Sequence, residues 1–87
     1  MSPDRAEALR PLYDSLHRYA GWLDRARTSV MVRADVEALG AALNTCADPW
    51  PLLHALDANI ARLPGGEMRK MLRVAASDMR RALAEVR

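Results

Sequence analysis

The chain of 87 residues has no phenylalanine, one cysteine, and one lysine among its 13 basic residues. Cys46 alone cannot close an intramolecular disulfide, so no oxidative framework holds the fold and the reading is of a cytoplasmic, reducing setting. No run approaches the roughly 18 apolar residues of a membrane span. The opening MSPDRAEALR also lacks the apolar stretch of a signal peptide. A membrane partner is therefore not expected.

Metal-ligand spacing is missing too, since there is no Cys-x-x-Cys, no His-x-x-x-His and no cluster of acids. Pro64-Gly65-Gly66 lacks the lysine and hydroxyl of a phosphate-binding loop, so no cofactor is expected. Length itself weighs against catalysis, because so short a chain leaves little interior in which to build a cleft.

Apolar residues make up 51% of the chain and charged residues 28%, the balance of one small globular domain over residues 1–87. None of its segments alternates with the two-residue period of a strand. Instead, proline, glycine and capping residues divide the chain into four amphipathic segments.

The first segment opens with Ser2-Pro3-Asp4, a capping hydroxyl, a proline at the first helical position and an acid in the first turn. Its stripe is Leu9, Leu12, Leu16, Ala20 and Leu23, flanked by Tyr13 and Tyr19. Pro11 lies within that segment without an amide hydrogen, and predicts a kink or a restart. The second segment runs from about Val32 to Cys46, with Val32, Val36, Leu39, Leu43 and Cys46 on one face and Gly40 on another; Val30 and Met31 fall in the connection before it.

Asp48-Pro49 opens the third segment, which places Leu52, Leu53, Leu56, Ile60 and Leu63 together before Pro64-Gly65-Gly66 stops it. The fourth, from about Glu67 to Val86, carries Met68, Leu72, Ala75, Met79, Leu83 and Val86 as a near-heptad seam. Short connections favour antiparallel neighbours. The expected fold is all-α, a small antiparallel bundle of four helices with two longer outer helices and two shorter middle ones. At this size the stability margin is a few kcal/mol, which keeps a homodimer open.

Charge is unevenly distributed. Residues 1–33 carry six arginines against Asp4, Glu7, Asp14 and Asp24; residues 34–66 carry only Arg62 against Asp35, Glu37, Asp48 and Asp57; residues 67–87 carry five arginines and Lys70 against Glu67, Asp78 and Glu85. The thirds sum to +2, −3 and +3, which together give the net +2 of the chain. The outer segments are basic and the middle pair acidic, so neutralisation between packed neighbours is the first expectation. On the fourth segment, Arg69, Arg73, Arg80 and Arg87 share one edge of the apolar seam and Glu67, Asp78 and Glu85 the other.

Nucleic-acid binding by that arginine edge is the alternative function, since guanidinium groups can track phosphates. Against it stand the small net charge and the 12 arginines among 13 basic residues, a skew that fits GC-rich codon usage. A helix-turn-helix built on segments two and three fails chemically, because its recognition helix would carry Pro49, Pro51 and Asp57 with one arginine at its far end. Cys46 and His54 form the only Cys–His pair and are not placed to act together; Cys46 reads as a buried core residue and His17 as a solvated residue near Asp14 and Asp24.

Trp22 is the strongest functional signal. It falls roughly 110° from the centre of the first stripe, one turn from Arg18 on one side and Arg25 on the other. An outward tryptophan between arginines has the composition of a binding hot spot. Trp50 reads as a plug at one end of the bundle, and Met68, Met71 and Met79 as adaptable filling along the last helix. The function expected is a non-catalytic protein–protein interaction module, an adaptor, chaperone or inhibitor. It would bind another protein through Arg18, Trp22 and Arg25, helped by Arg69, Arg73 and Arg80.

Overall fold

The computed structural model describes residues 1–85, and four helices account for the regular structure among them: α1 (Pro3–Gly21), α2 (Arg27–Thr45), α3 (Trp50–Ala61) and α4 (Glu67–Glu85). The expectations for Val86 and Arg87 lie outside the described residues. No helix is long and apolar enough to cross a membrane among those residues.

The start of α1 follows its capping chemistry. The Ser2 hydroxyl accepts the Arg5 N–H at 3.2 Å, with Pro3 at the first helical position and Asp4 in the first turn. The restart expected at Pro11 does not occur, and α1 continues through it to Gly21. Pro11 and the residue one turn before it, Glu7, are both exposed, so the helix loses one hydrogen bond on its solvent side and no core contact. Gly21 ends the helix; the N–H groups of Trp22 and Leu23 tighten onto the Tyr19 and Ala20 carbonyls at 3.1 and 3.2 Å.

α2 begins at Arg27, five residues before the expected Val32, so Val30 and Met31 are helical and not part of a loop. The cause is Asp24. Its Oδ1 accepts the Ala26 N–H at 3.0 Å and the Ser29 hydroxyl at 2.7 Å, which starts a turn that the apolar pattern does not reveal. α2 is consequently 19 residues long, like α1 and the described part of α4, while α3 has 12. Three long helices and one short one replace the expected two and two.

At its other end, Cys46 adopts a left-handed φ of 56°, and the Ala47 N–H closes back on the Ala42 carbonyl at 2.9 Å. This corrects the reading of Cys46 as a core residue on the face of α2: it is a half-buried helix cap. Asp48 opens α3 by accepting the Trp50 N–H at 3.1 Å.

Cross-helix contacts give the directions. Arg10 of α1 bonds Asn44 of α2, whereas His17, two turns further on, bonds Glu37 at 3.1 Å, so the two helices run in opposite senses. Arg5 reaches the Leu83 carbonyl near the end of α4, while Tyr19 near the end of α1 and Glu67 at the start of α4 line the same groove. Each helix packs on two others, in the cyclic order α1–α2–α3–α4, and the resulting body is 35 Å long and about 20 Å across.

One core unites the four. Leu9, Leu16, Val32, Val36, Leu39, Leu43, Leu53, Leu56, Ile60, Leu72, Met79 and Leu83 are buried together, with Leu63 joining them from the loop after α3. Alanines 75 and 76 both face inward and let α4 approach its neighbours closely. Trp50 is half-buried against this core, at the end of the bundle where α3 begins. Tyr13 and Gly40 depart from the pattern expected of them. Tyr13 is buried, not flanking, and its ring occupies the space where Gly40 has no side chain; Gly40 is thus on the packed side of α2, not off it. A Cβ at Gly40 would stand 2.7 Å from Tyr13 Cζ and closer still to the hydroxyl.

Substituting Gly40→Ala should therefore destabilise the fold by about 1–2 kcal/mol despite the better helix propensity of alanine, because the ring must move inside a filled core. Cys46→Gly should do the opposite and stabilise by roughly 0.5–1 kcal/mol, since glycine adopts the left-handed cap without a Cβ clash. Urea denaturation followed by circular dichroism measures both.

Candidate functional site

The two connections α1–α2 and α3–α4 meet at one end of the bundle. Trp22, Leu23, Asp24 and Ser29 from the first line an open cleft of about 380 Å³ with Leu63–Arg69 from the second. Leu23 packs half-buried against the core, and Leu63 is fully within it, so the floor of the cleft is anchored.

Trp22 is 60% exposed, the largest apolar side chain left in solvent among the described residues. It stands at the C-cap of α1, and its ring lies 5.7 Å from that of Tyr19 at a tilt of 45°. That contact orients the indole without covering it. Arg18 is exposed one turn before it in α1. Arg25 is also exposed, but the helix has ended at Gly21, so it flanks Trp22 from the connection and not from the same helical register.

The connection itself is rigidly held. Arg33 donates from Nη1 to the carbonyls of Leu23 and Asp24 at 3.1 and 2.7 Å, holding the chain where it leaves α1. Ser29 is the one buried polar side chain among the described residues, and Asp24 satisfies it. The hydrogen bond from Ser29, with a second from the Ala26 backbone, lowers the pKa of Asp24 below its ordinary value near 3.8.

The arginine edge of α4 divides into different roles. Arg80 forms an ion pair with Asp57 of α3, both partly buried, as expected of a basic helix packed on an acidic one. Arg69 donates to the Leu63 carbonyl at 3.3 Å and is half-buried against the α3–α4 turn. Arg73 is exposed on the same edge. The six arginine and tryptophan positions singled out from the sequence thus separate: Arg18, Trp22, Arg25 and Arg69 gather at the cleft end, Arg73 lies further along α4, and Arg80 is tied to α3.

Structure adds what the linear pattern could not. Arg27 and Arg62 are exposed at the same end, with Lys70 one turn into α4. Counting Arg18, Arg25, Arg27, Arg33, Arg62, Arg69 and Lys70 against Asp24 and Glu67, this end carries +5, which leaves −3 for the rest of the chain. Arg18, Arg25, Arg27 and Arg62 take no part in an ion pair among the described residues. The signal is invisible in sequence because its two halves are separated by most of α2 and the whole of α3.

The remaining chemical residues are not brought together. His17 is exposed and pairs with Glu37 of α2, in place of the Asp14 and Asp24 expected from sequence. His54 packs beside Trp50, ring centroids 6.4 Å apart, and Cys46 serves as a helix cap. No group of three metal-ligating side chains occurs among the described residues. No family model, curated protein or solved structure matches the chain.

The sign of the Asp24 shift makes a prediction. A carboxylate with a lowered folded pKa stabilises the protein above its unfolded pKa, and that contribution is lost as pH falls through the folded value. Replacing Ser29→Ala should raise the Asp24 midpoint toward 3.8 and move the acid end of the stability profile upward in pH. Carboxylate-detected NMR titration of the two proteins checks it.

Proposed function

We propose that this chain is a non-catalytic protein–protein interaction module that engages an acidic partner through the end of the bundle carrying Trp22. The observation that carries this reading is the exposed indole standing in a field of arginines on a braced connection. An aromatic anchor rimmed by guanidinium groups combines apolar burial with charge-assisted hydrogen bonding to carboxylates. Arg18, Trp22 and Arg25 form the centre of the surface, Arg27 and Arg62 extend it, and Arg69 shapes the cleft floor from the α4 side. Arg73 and Arg80 contribute less, because the first lies off the cleft and the second is paired with Asp57.

A partner segment rich in Asp and Glu with one apolar side chain for the cleft fits this chemistry. Electrostatic attraction from a +5 end mainly raises the association rate, and the tryptophan contact slows dissociation. An adaptor, chaperone or inhibitor role, in a reducing cytoplasmic setting suggested by the lone Cys46, belongs to the same proposal.

Trp22→Ala should leave helical content and melting temperature within experimental error of the parent, as the side chain is mostly in solvent. Titration of an acidic peptide carrying a leucine should shift the Trp22 emission to the blue and protect it from acrylamide, and the response should disappear in the Ala variant. Single-stranded and duplex DNA, tested in parallel at two salt concentrations, supply the competing reading. Salt-dependent retention of DNA with no response to the peptide would overturn the proposal.

A further inference from the structure

The outer face of α4 carries a second unpartnered surface, which begins with Glu67 and Lys70 at the cationic end and runs along the helix. Val74 is 53% exposed at the middle of the helix and, with Met71 and Leu12, lines a groove of about 270 Å³ between α1 and α4. At about 100° per residue, Glu67, Lys70, Asp78 and Arg81 all fall within roughly 40° of Val74, so five side chains share one narrow face. Glu67, Lys70 and Arg81 are exposed, and the side chain of Asp78 remains 44% accessible.

Their order along the face is Glu67, Lys70, Val74, Asp78, Arg81, with unlike charges at equal spacing on either side of the valine. The arrangement is antisymmetric in charge about position 74. When such a face meets a copy of itself turned end over end about a two-fold axis through Val74, Lys70 of one chain meets Asp78 of the other and Glu67 meets Arg81. Symmetry doubles both pairs, so four cross-chain ion pairs bracket an apolar centre. A self-complementary patch of this kind is what an isologous contact requires.

We propose that the exposed face of α4 is the interface of a two-fold homodimer, with the two α4 helices antiparallel and Val74 on the axis. Within one chain the Arg81–Asp78 pair is loose, at 3.8 Å with Arg81 mostly in solvent and Asp78 partly so, and Arg81 is thus available to a partner. The Val74 side chains of the two copies meet on the axis, and the groove lined by Leu12, Tyr19 and Met71 runs beside the contact in each chain. Trp22 lines the cleft and not this groove, with Glu67 bordering both, so each dimer presents two copies of the Trp22 indole.

Equilibrium ultracentrifugation of the full chain tests the assignment. A dimer is expected, with Lys70→Glu weakening it about tenfold, since two attractive pairs become repulsive. Asp78→Lys should weaken it similarly, and the double substitution should restore the parent affinity to within a few-fold, because the reversed charges again face each other. Circular dichroism should show all three variants folded as the parent.

An independent arm uses cross-linking in a Cys46→Ser background. Val74→Cys should oxidise readily to a covalent dimer, as position 74 meets itself on the axis, whereas Arg81→Cys should not, as its counterpart is Glu67. A monomer at every concentration, a dimer indifferent to Lys70→Glu and Asp78→Lys, or preferential cross-linking through position 81 would each overturn the proposal. None of these outcomes depends on whether the Trp22 surface binds an acidic partner.

Discussion

Four apolar stripes have only one another to bury against, and every other feature of this molecule follows from that. With 87 residues and no disulfide, a single cluster of leucines, valines and alanines must offset the conformational entropy of the chain. No helix can leave the bundle without exposing the stripes of two neighbours. The core therefore positions the connections at its ends as firmly as it positions the helices themselves.

That constraint explains where polar chemistry is placed. Interior polar groups are few, and Ser29 in the first turn of α2 is accommodated by Asp24 of the connection before it. Cross-helix polar contacts lie at the edges of the core, where Asp57–Arg80, Asp35–Asn59 and Glu37–His17 each link neighbouring helices. Such half-exposed pairs add little stability apiece. Their use is in register, because a helix sliding by one turn would break its partners along a whole seam. Arg33 plays a comparable role at the connection, holding the chain after α1 in the direction that leaves Trp22 outside.

The charges that are not engaged in this way are the ones available for recognition, and they are not spread evenly. One end of the bundle gathers exposed arginines around an indole; the outer face of α4 carries both signs in an antisymmetric order about a valine. The two surfaces have different chemistry, and the occupants proposed for them differ: an anionic segment of another protein for the first, an identical face for the second. The two adjoin at the start of α4, where Glu67 borders both, and diverge from there, the first across the end of the bundle and the second along the helix.

Sequence by itself determined the all-helical class, the four segments and most of the buried leucines, because helical periodicity and capping are local properties of the chain. It misplaced the start of α2, the side on which Gly40 lies and the environment of Cys46. The Asp24–Ser29 turn, the fit of Tyr13 onto Gly40 and the left-handed cap arise from contacts or backbone geometry that no apolar pattern encodes. Only the tertiary structure decided which arginines are tied within the molecule and which are free, and that Arg62 and Lys70 stand with Trp22 at one end. Chain closure brings those residues together across two intervening helices, and proximity of that kind is a property of packing, not of spacing along the chain.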